Sequence, residues 1–354
     1  MINKYKRVGI DFEKKDSGQF LMDNNDILIC KGSREGVDVS SLLEACKDKS
    51  VVARKWSLID KNADEICQKV AKTFDNGYFV RSKKNVQVEG FVQTCLSIGT
   101  DSYEQSVHNM VIAEEGSSMH VLTGCTTPTS AKLTKHNGVT EIFVGKRAKL
   151  TYTMVHSWGE DTVVRPKTAI RVEEGGEFVS NYVCIDRVGD VKMYPKCVLA
   201  GKEAFANMNT YLFAKPKSNM DVGTAVELKG ENSRCLVKAR VVSTGGNIWS
   251  RGIMDGLAEG VSGHLECTGL IIKEGVIHAI PEIIARIDNV DLTHEASVGR
   301  VSKESIEYLQ SRGFSEQEAL GLILKGFLDL SSLAVPASIL KRLNKLSAEV
   351  GSGL

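Results

Sequence analysis

Between residues 86 and 298 the chain keeps one texture. Short β-rich runs such as VEGFVQTCLSI, TEIFVG, AKLTYTMV, KTAIRV and RCLVKARVV are separated by glycine-bearing turns, with hardly any helical periodicity. More than half the chain is thereby confined to an all-β body. The turns at Gly145, Gly175-Gly176, Gly201 and Gly230 often follow one β run and precede the next, as in FVGKRAKLTY, VEEGGEFVSN and LKGENSRCLV. Such a pattern suits stacked coils of about 25 to 31 residues. The spacing is uneven and the hexapeptide and nonapeptide repeats are missing, so periodicity alone leaves a β-helix, a sandwich and a barrel open.

The flanks read differently. Residues 1–85 are mixed α/β, with Asn62 as N-cap of a helix carrying Ala63, Ile66, Val70 and Phe74, stopped by Asn76-Gly77. This region is expected to be a small lid or docking domain. Residues 299–354 turn helical. Ser302 is a candidate N-cap, Val301 and Ile306 a hydrophobic staple, and Gly313 a C-cap. Ser315 and Glu318 form a capping box with the staple pair Phe314 and Ala319. The expected apolar face of that helix holds Ala319, Leu322, Ile323, Gly326, Phe327 and Leu330. Pro336 opens a third helix bearing Ile339, Leu343 and Leu346.

At 354 residues the chain fits two or three domains. Lys and Arg number 45 against 44 Asp and Glu, so no net field favours nucleic acid or an anionic membrane. No run approaches the roughly 18 apolar residues of a membrane span, and MINKYKRVGIDFEKK lacks the apolar core of a signal peptide. A cytoplasmic protein is expected. Its nine cysteines then point to free thiols, metal ligands or reactive sulfurs rather than disulfides.

Those cysteines fall into classes. Cys30, Cys46, Cys67, Cys95 and Cys184 sit among apolar residues and read as small buried hydrophobes. Cys125 in GCTTP and Cys197 in YPKC adjoin proline, where a thiol can be exposed, and Lys196 would favour the Cys197 thiolate. Cys235 and Cys267, brought from distant segments to His294 and Glu295, would make a mixed thiolate, imidazole and carboxylate site suited to iron or zinc. A regular strand would send His294 and Glu295 to opposite faces; a bulge or strand end would lift that objection. No CxxC, GxxxxGK[ST], HExxH or GxSxG occurs, and no GxGxxG follows a strand. Glu173, Glu174 and Asp255 leave a carbohydrate-active β-helix enzyme as a distant alternative.

The segment HEASVGRVSKESIEYLQSRGFSEQEALGLILKGF resembles the C-terminal signature of the SufB/SufD family, scaffold proteins of the SUF iron–sulfur assembly system. AEEGSSMHVLTGCTTPTSAKLTKHNGVTEIFVGKRAKLTYTMVHSW resembles the SufB core segment with its GCT-Pro motif, and KMYPKCVLAG resembles its YPSC segment. The resemblance implies a right-handed parallel β-helix core over residues 86–298, flanked by the N-terminal α/β region and a C-terminal helical domain. It further implies a non-enzymatic scaffold for nascent iron–sulfur clusters, with ATP hydrolysis on a SufC-type ABC ATPase partner. Ser302, Ile306, Leu309, Arg312, Phe314, Leu322 and Phe327 would dock that ATPase.

By the same resemblance Cys197, with Lys196 beside it, matches the SufB sulfur acceptor, and His294-Glu295 matches a His-Glu pair at the cluster site. Dimerisation through the β-helix ends is implied, either as a homodimer, as in archaeal-type SufB-like scaffolds, or with a SufB- or SufD-like paralogue. A sulfur donor and apo iron–sulfur proteins would be further partners, and a role for flavin stays open. One departure stands out: where SufB carries a cluster cysteine in CGAHTFP, EGVIHAIP here has Gly275, leaving Cys267 or Cys235 to replace it. A clusterless SufD-like subunit that anchors or regulates the ATPase is the alternative reading.

Overall fold

The computed structural model describes residues 3–14, 18–32, 36–73, 76–128, 131–331, 333 and 335–351. Its centre is a parallel β-solenoid of about eight turns, with helices at both termini. Each turn gives one strand to each of two sheets, so every second strand in sequence is a neighbour in space. Along one sheet Glu177, Phe205, Arg234, Ser262 and Asp291 lie in register, 28 or 29 residues apart at each step. The uneven turn spacing of the sequence therefore conceals an almost constant rung.

The glycine turns follow from this stacking. A Cβ on Gly230 would run into the Gly201 carbonyl of the turn beneath, and one on Gly201 into the Glu174 backbone. Only glycine lets consecutive corners sit directly on one another.

Strand alternation divides the body. Inward positions such as Ile170, Cys197, Val226 and Met254, aligned rung over rung, join the continuous apolar core between the sheets. Outward positions form charge ladders, including Lys149–Glu177 at 2.9 Å and Arg251–Asp221 at 2.7 Å.

In one of the two sheets the parallel ladder begins at the strand Tyr78–Ser82, which pairs with Glu104–Ala113, inside the region that the sequence texture assigns to the N-terminal unit. That unit continues the same two sheets. Gly18–Asp23 adds in parallel to the strand Gln87–Ser97, and Asp26–Gly32 and Val37–Ser41 add in antiparallel. The helices Leu42–Ala45 and Lys49–Arg54 cover one outer face with Leu42 and Val51, against Phe79, Met110 and Ile112. The next helix, Glu65–Ala71, is capped by Asp64 and not by Asn62: the Asp64 carboxylate accepts from the amides of Ile66 and Cys67. Phe74 lies outside the described residues.

The tail follows its caps. Ser302 caps Lys303–Ser311, Gly313 has φ of +93°, and both halves of the Ser315/Glu318 capping box are formed on Glu316–Phe327. The buried face of that second helix is set by Ala319 and Leu324, with Leu328 and Leu330 beyond it, and Leu322 points outward, unlike the expected stripe. The helix Ala337–Gly351 buries Ile339, Leu343 and Leu346 against Tyr5, Val8 and Ile10 and the outer sheet residues Val155, Val183 and Phe213. At about 1.5–3 kcal/mol for each large side chain removed from water, this contact fastens both chain ends to the solenoid flank. Among the described residues, no helix is long and apolar enough to cross a membrane.

Candidate functional site

In the strand Lys196–Leu199 alternation separates two residues that adjoin in sequence. Lys196 points outward and pairs with Glu227 at 2.5 Å, where Lys229 also bonds at 2.7 Å. Burial would raise the Glu227 carboxyl, yet its bonds to Lys196 and Lys229 prevail and hold it below the usual range. Cys197 points into the core and is fully buried. Burial, and then the neighbouring Cys235 thiol, push its pKa well above that of a free cysteine. The expectation of an exposed thiolate assisted by Lys196 is thus corrected: the ammonium is on the other side of the strand. Cys125 is likewise buried, its thiol pushed up to about 12 by burial.

Cys235 and Cys267 also face inward, from the strands Arg234–Ser243 and Ser262–Ile271. The Cys235 thiol donates to the Met254 thioether at 3.5 Å and is pushed to about 12 by burial. Burial raises Cys267 too, opposed by a bond with Ser250.

His294 and Glu295 lie in the last rung, Asp291–Arg300, in unbroken register with the strand beneath. His294 stands over inward-facing Leu265, and Glu295 over outward-facing Glu266, which bonds to Lys238 and Arg240. The two ligand candidates therefore do point to opposite faces, and no bulge intervenes. Both are exposed, on the strand that ends its sheet among the described residues.

Register also orders the thiols. Cys267 pairs with Ala296, two residues from His294 on the same inward face; Cys235 is a further rung away, in the column of Gly263 and Leu292. Cys267 is accordingly the nearer thiol to His294. Among the described residues, no group of three or more His, Cys, Asp and Glu is gathered closely enough to hold a metal ion.

Gly275 has a structural reason. Its φ is +130°, and a Cβ would meet the Ser243 hydroxyl and lie 2.7 Å from the Gly246 carbonyl. A cysteine does not fit there. Three residues on, His278 lies outside the solenoid, stacked on Trp249 with ring centroids 5.4 Å apart.

Sequence reasoning missed an interior column. Cys125, His156 and Cys184 are in register on one sheet, and Cys125 and His156 line a small enclosed space with Tyr152, from the same strand as His156, and His136 of the opposite sheet. Burial drives His156 down to about 3 and His136 to about 4, so both imidazoles are neutral at pH 7. The Tyr182 hydroxyl bonds His156 Nδ1 at 3.0 Å. The only sequence signal was a spacing of 31 and 28 residues, which has meaning only once the rung length is known.

On the tail, Ser302, Ile306, Leu309 and Arg312 belong to a first helix or its caps, none of whose residues is buried. Phe314 and Leu322, 41% and 46% exposed, line a cavity of about 610 Å³ with Glu318, Lys325 and Asn344. Phe327 differs from these six. It faces the solenoid, where its carbonyl accepts from Arg240 at 3.1 Å and its ring lies under the same guanidinium.

Residues 97–327 match the family model for the SUF system FeS cluster assembly SufBD core domain. An iron–sulfur cluster assembly SufBD family protein of Archaeoglobus fulgidus is 42% identical over 341 residues, covering 95% of this chain and 91% of the relative. One from Methanothermobacter thermautotrophicus is 32% identical over 341 residues (94% and 83%), and one from Staphylococcus epidermidis 30% identical over 281 residues (77% and 59%).

Proposed function

The chain belongs to the SufBD family of SUF-system iron–sulfur cluster assembly proteins, and on that premise we propose that it is a scaffold on which a nascent cluster is built at a dimer interface. The observation carrying this reading is the last rung: a ten-residue strand with its inward face uncovered, His294 on that face and the Cys267 thiol one rung below. A second copy, or a SufB- or SufD-like paralogue, meeting that end would bring a matching set of donors. Two donors per chain suffice for a bridging cluster, and an imidazole or carboxylate in place of a thiolate leaves the cargo easier to release. Glu295, on the outer face, would contribute from the rim of such an interface.

Cys197 would accept sulfane sulfur from a persulfide donor, its thiolate attacking the terminal sulfur as the donor thiol leaves. Because the thiol is buried and raised, transfer requires the donor to reach the core and a base to take the proton. A SufC-type ATPase would dock on Ser302, Ile306, Leu309, Arg312, Phe314 and Leu322. That surface joins the last rung directly, so ATP-driven movement there would be felt at the cluster. A cytoplasmic setting and a non-enzymatic role for this chain, with apo iron–sulfur proteins receiving the cargo, complete the reading.

Anaerobic co-purification with an ATPase partner and iron, followed by absorption spectroscopy and acid-labile sulfide analysis, tests it. A bound chromophore is expected, and its absence from the complex would sink the scaffold. Alanine at Cys267 should abolish the chromophore more completely than alanine at Cys235. Retention in both single variants and the double variant would remove these cysteines from the site. The glycine-only position at Gly275 favours one competing reading, a clusterless subunit that anchors the ATPase, which predicts an intact complex without iron.

A further inference from the structure

On the outer face of one sheet, Phe205, Arg234, Ser262 and Asp291 stand in one column, each in register with the next. Beside it runs a second outward column, Leu236, His264 and Thr293. The two columns border a surface pocket of about 310 Å³, at the lower end of the volumes that hold small molecules. The C-terminal helices cover the same sheet farther along its strands, at Tyr211, Phe213 and Val242, whereas Arg234 and Asp291 are exposed. Among the described residues neither of these two charges has an ion pair or a side-chain hydrogen bond, although the same column pairs Lys149 with Glu177 at 2.9 Å. Ser262, with its short side chain, is the rung between them. Two rungs at the usual strand spacing set the Arg234 and Asp291 positions about 9.6 Å apart.

A simple anion drawn to Arg234 would meet the Asp291 carboxylate, and a simple cation drawn to Asp291 would meet the guanidinium. The pair suits a ligand that carries both charges. An ammonium and a carboxylate on one carbon lie ~3 Å apart, and a charge-assisted bond of ~2.8 Å at each end brings the span to about 9 Å, which matches the gap over Ser262. Arg234 can grip a carboxylate with two parallel N–H donors, and Asp291 accepts from an ammonium. The His264 ring, held through Nδ1 to the Thr293 hydroxyl at 2.9 Å, forms one wall. Phe205 and Leu236, the latter 45% exposed, offer apolar surface that a ligand side chain would cover. We infer that this pocket binds a free α-amino acid with a short aliphatic side chain, its carboxylate on Arg234 and its ammonium on Asp291. Binding makes and breaks no covalent bond. It uses residues of this chain alone and does not rest on the scaffold reading.

The test is a binding measurement. Full-length protein is titrated with L-leucine by saturation-transfer NMR, in parallel with isocaproate, which lacks the ammonium, and isopentylamine, which lacks the carboxylate. Saturable binding of leucine is expected, with each of the other two bound at least about tenfold more weakly. Arg234→Gln should weaken leucine at least about tenfold and leave isopentylamine unchanged; Asp291→Asn should weaken leucine as much and leave isocaproate unchanged. Both residues are exposed, so these variants should keep the far-UV circular dichroism of the parent chain. Ser262→Leu, which fills the gap between the charges, should abolish binding. Equal affinity for leucine and isocaproate would reduce the pocket to a plain anion site and overturn the proposal. No saturable binding of leucine, or unchanged affinity in the folded Arg234→Gln and Asp291→Asn variants, would overturn it as well.

Discussion

The two ends of the solenoid are built on opposite plans. At the N-terminal end the sheets finish in antiparallel strands of seven and five residues, Asp26–Gly32 and Val37–Ser41, and helices cover the neighbouring outer face. At the C-terminal end they finish in two parallel ten-residue strands, Val276–Ala285 and Asp291–Arg300. Those strands expose Val276, Ile280 and Val298. Short, turned-away edges resist further pairing, and long flat ones invite it. The same repeated coil thus yields one end that is turned away and covered and another whose last strands are long and exposed.

Removing the buried strap at the closed end should have the largest effect. Glu141, fully buried, bonds His108 Nε2 at 2.9 Å and accepts from the amides of Trp56 and Leu58 at 2.6 and 2.7 Å. Glu141→Ala should cost about 3–5 kcal/mol, read as a lowered urea midpoint, because it leaves two amides and an imidazole unpartnered. A loss below about 1 kcal/mol would mean that the strap does not hold this end.

Acid should act next, and again on the closed half. His120 and His136 are lowered to about 4 and His156 to about 3, all by burial. Their folded pKa values lie below the unfolded value near 6.5, so the unfolded chain binds more protons between them. Stability is complete above about pH 6.5 and declines as pH falls towards 4 and 3. Urea midpoints at pH 7 and pH 5 that coincide would contradict this.

At the open end the effects shrink. Gly275→Cys, which restores the thiol that SufB-like sequences carry, should destabilise by about 1–3 kcal/mol through positive φ and the clash with Ser243. Unchanged stability together with a stronger chromophore would show that the corner can move. His294→Ala should alter stability by less than about 0.5 kcal/mol while diminishing cluster retention by the complex. A large stability loss there would assign the histidine to packing rather than to cargo.

How far the sequence could be read depended on how local each question was. Ser302, the Ser315/Glu318 box and Gly313 signal through residues three or four apart, and the helices start and stop where those signals lie. The glycine turns suited stacked coils but left a sandwich and a barrel open, and the β-helix was implied by the long matching motifs. Asn62 gave way to Asp64 as N-cap because both can accept a bond from the chain, and only packing against the solenoid, with Lys167 pairing to Asp64, selects between them. Cys197 was read as reactive from its neighbour Lys196, a local inference that strand alternation reverses. The column of Cys125, His156 and Cys184 was invisible because its members are a full coil apart.

The sequence by itself determined the class of fold, the family, and the boundary at which strands give way to capped helices, since each is written in patterns of period two, of helical spacing, or in long matching motifs. Only the tertiary structure decided which way each sulfur points, which thiol stands nearest His294, and why Gly275 admits no side chain. Those are relations between successive rungs. They are set by backbone register and by burial across a shared core, and residues 28 or 29 positions apart along the chain carry no local signal of touching.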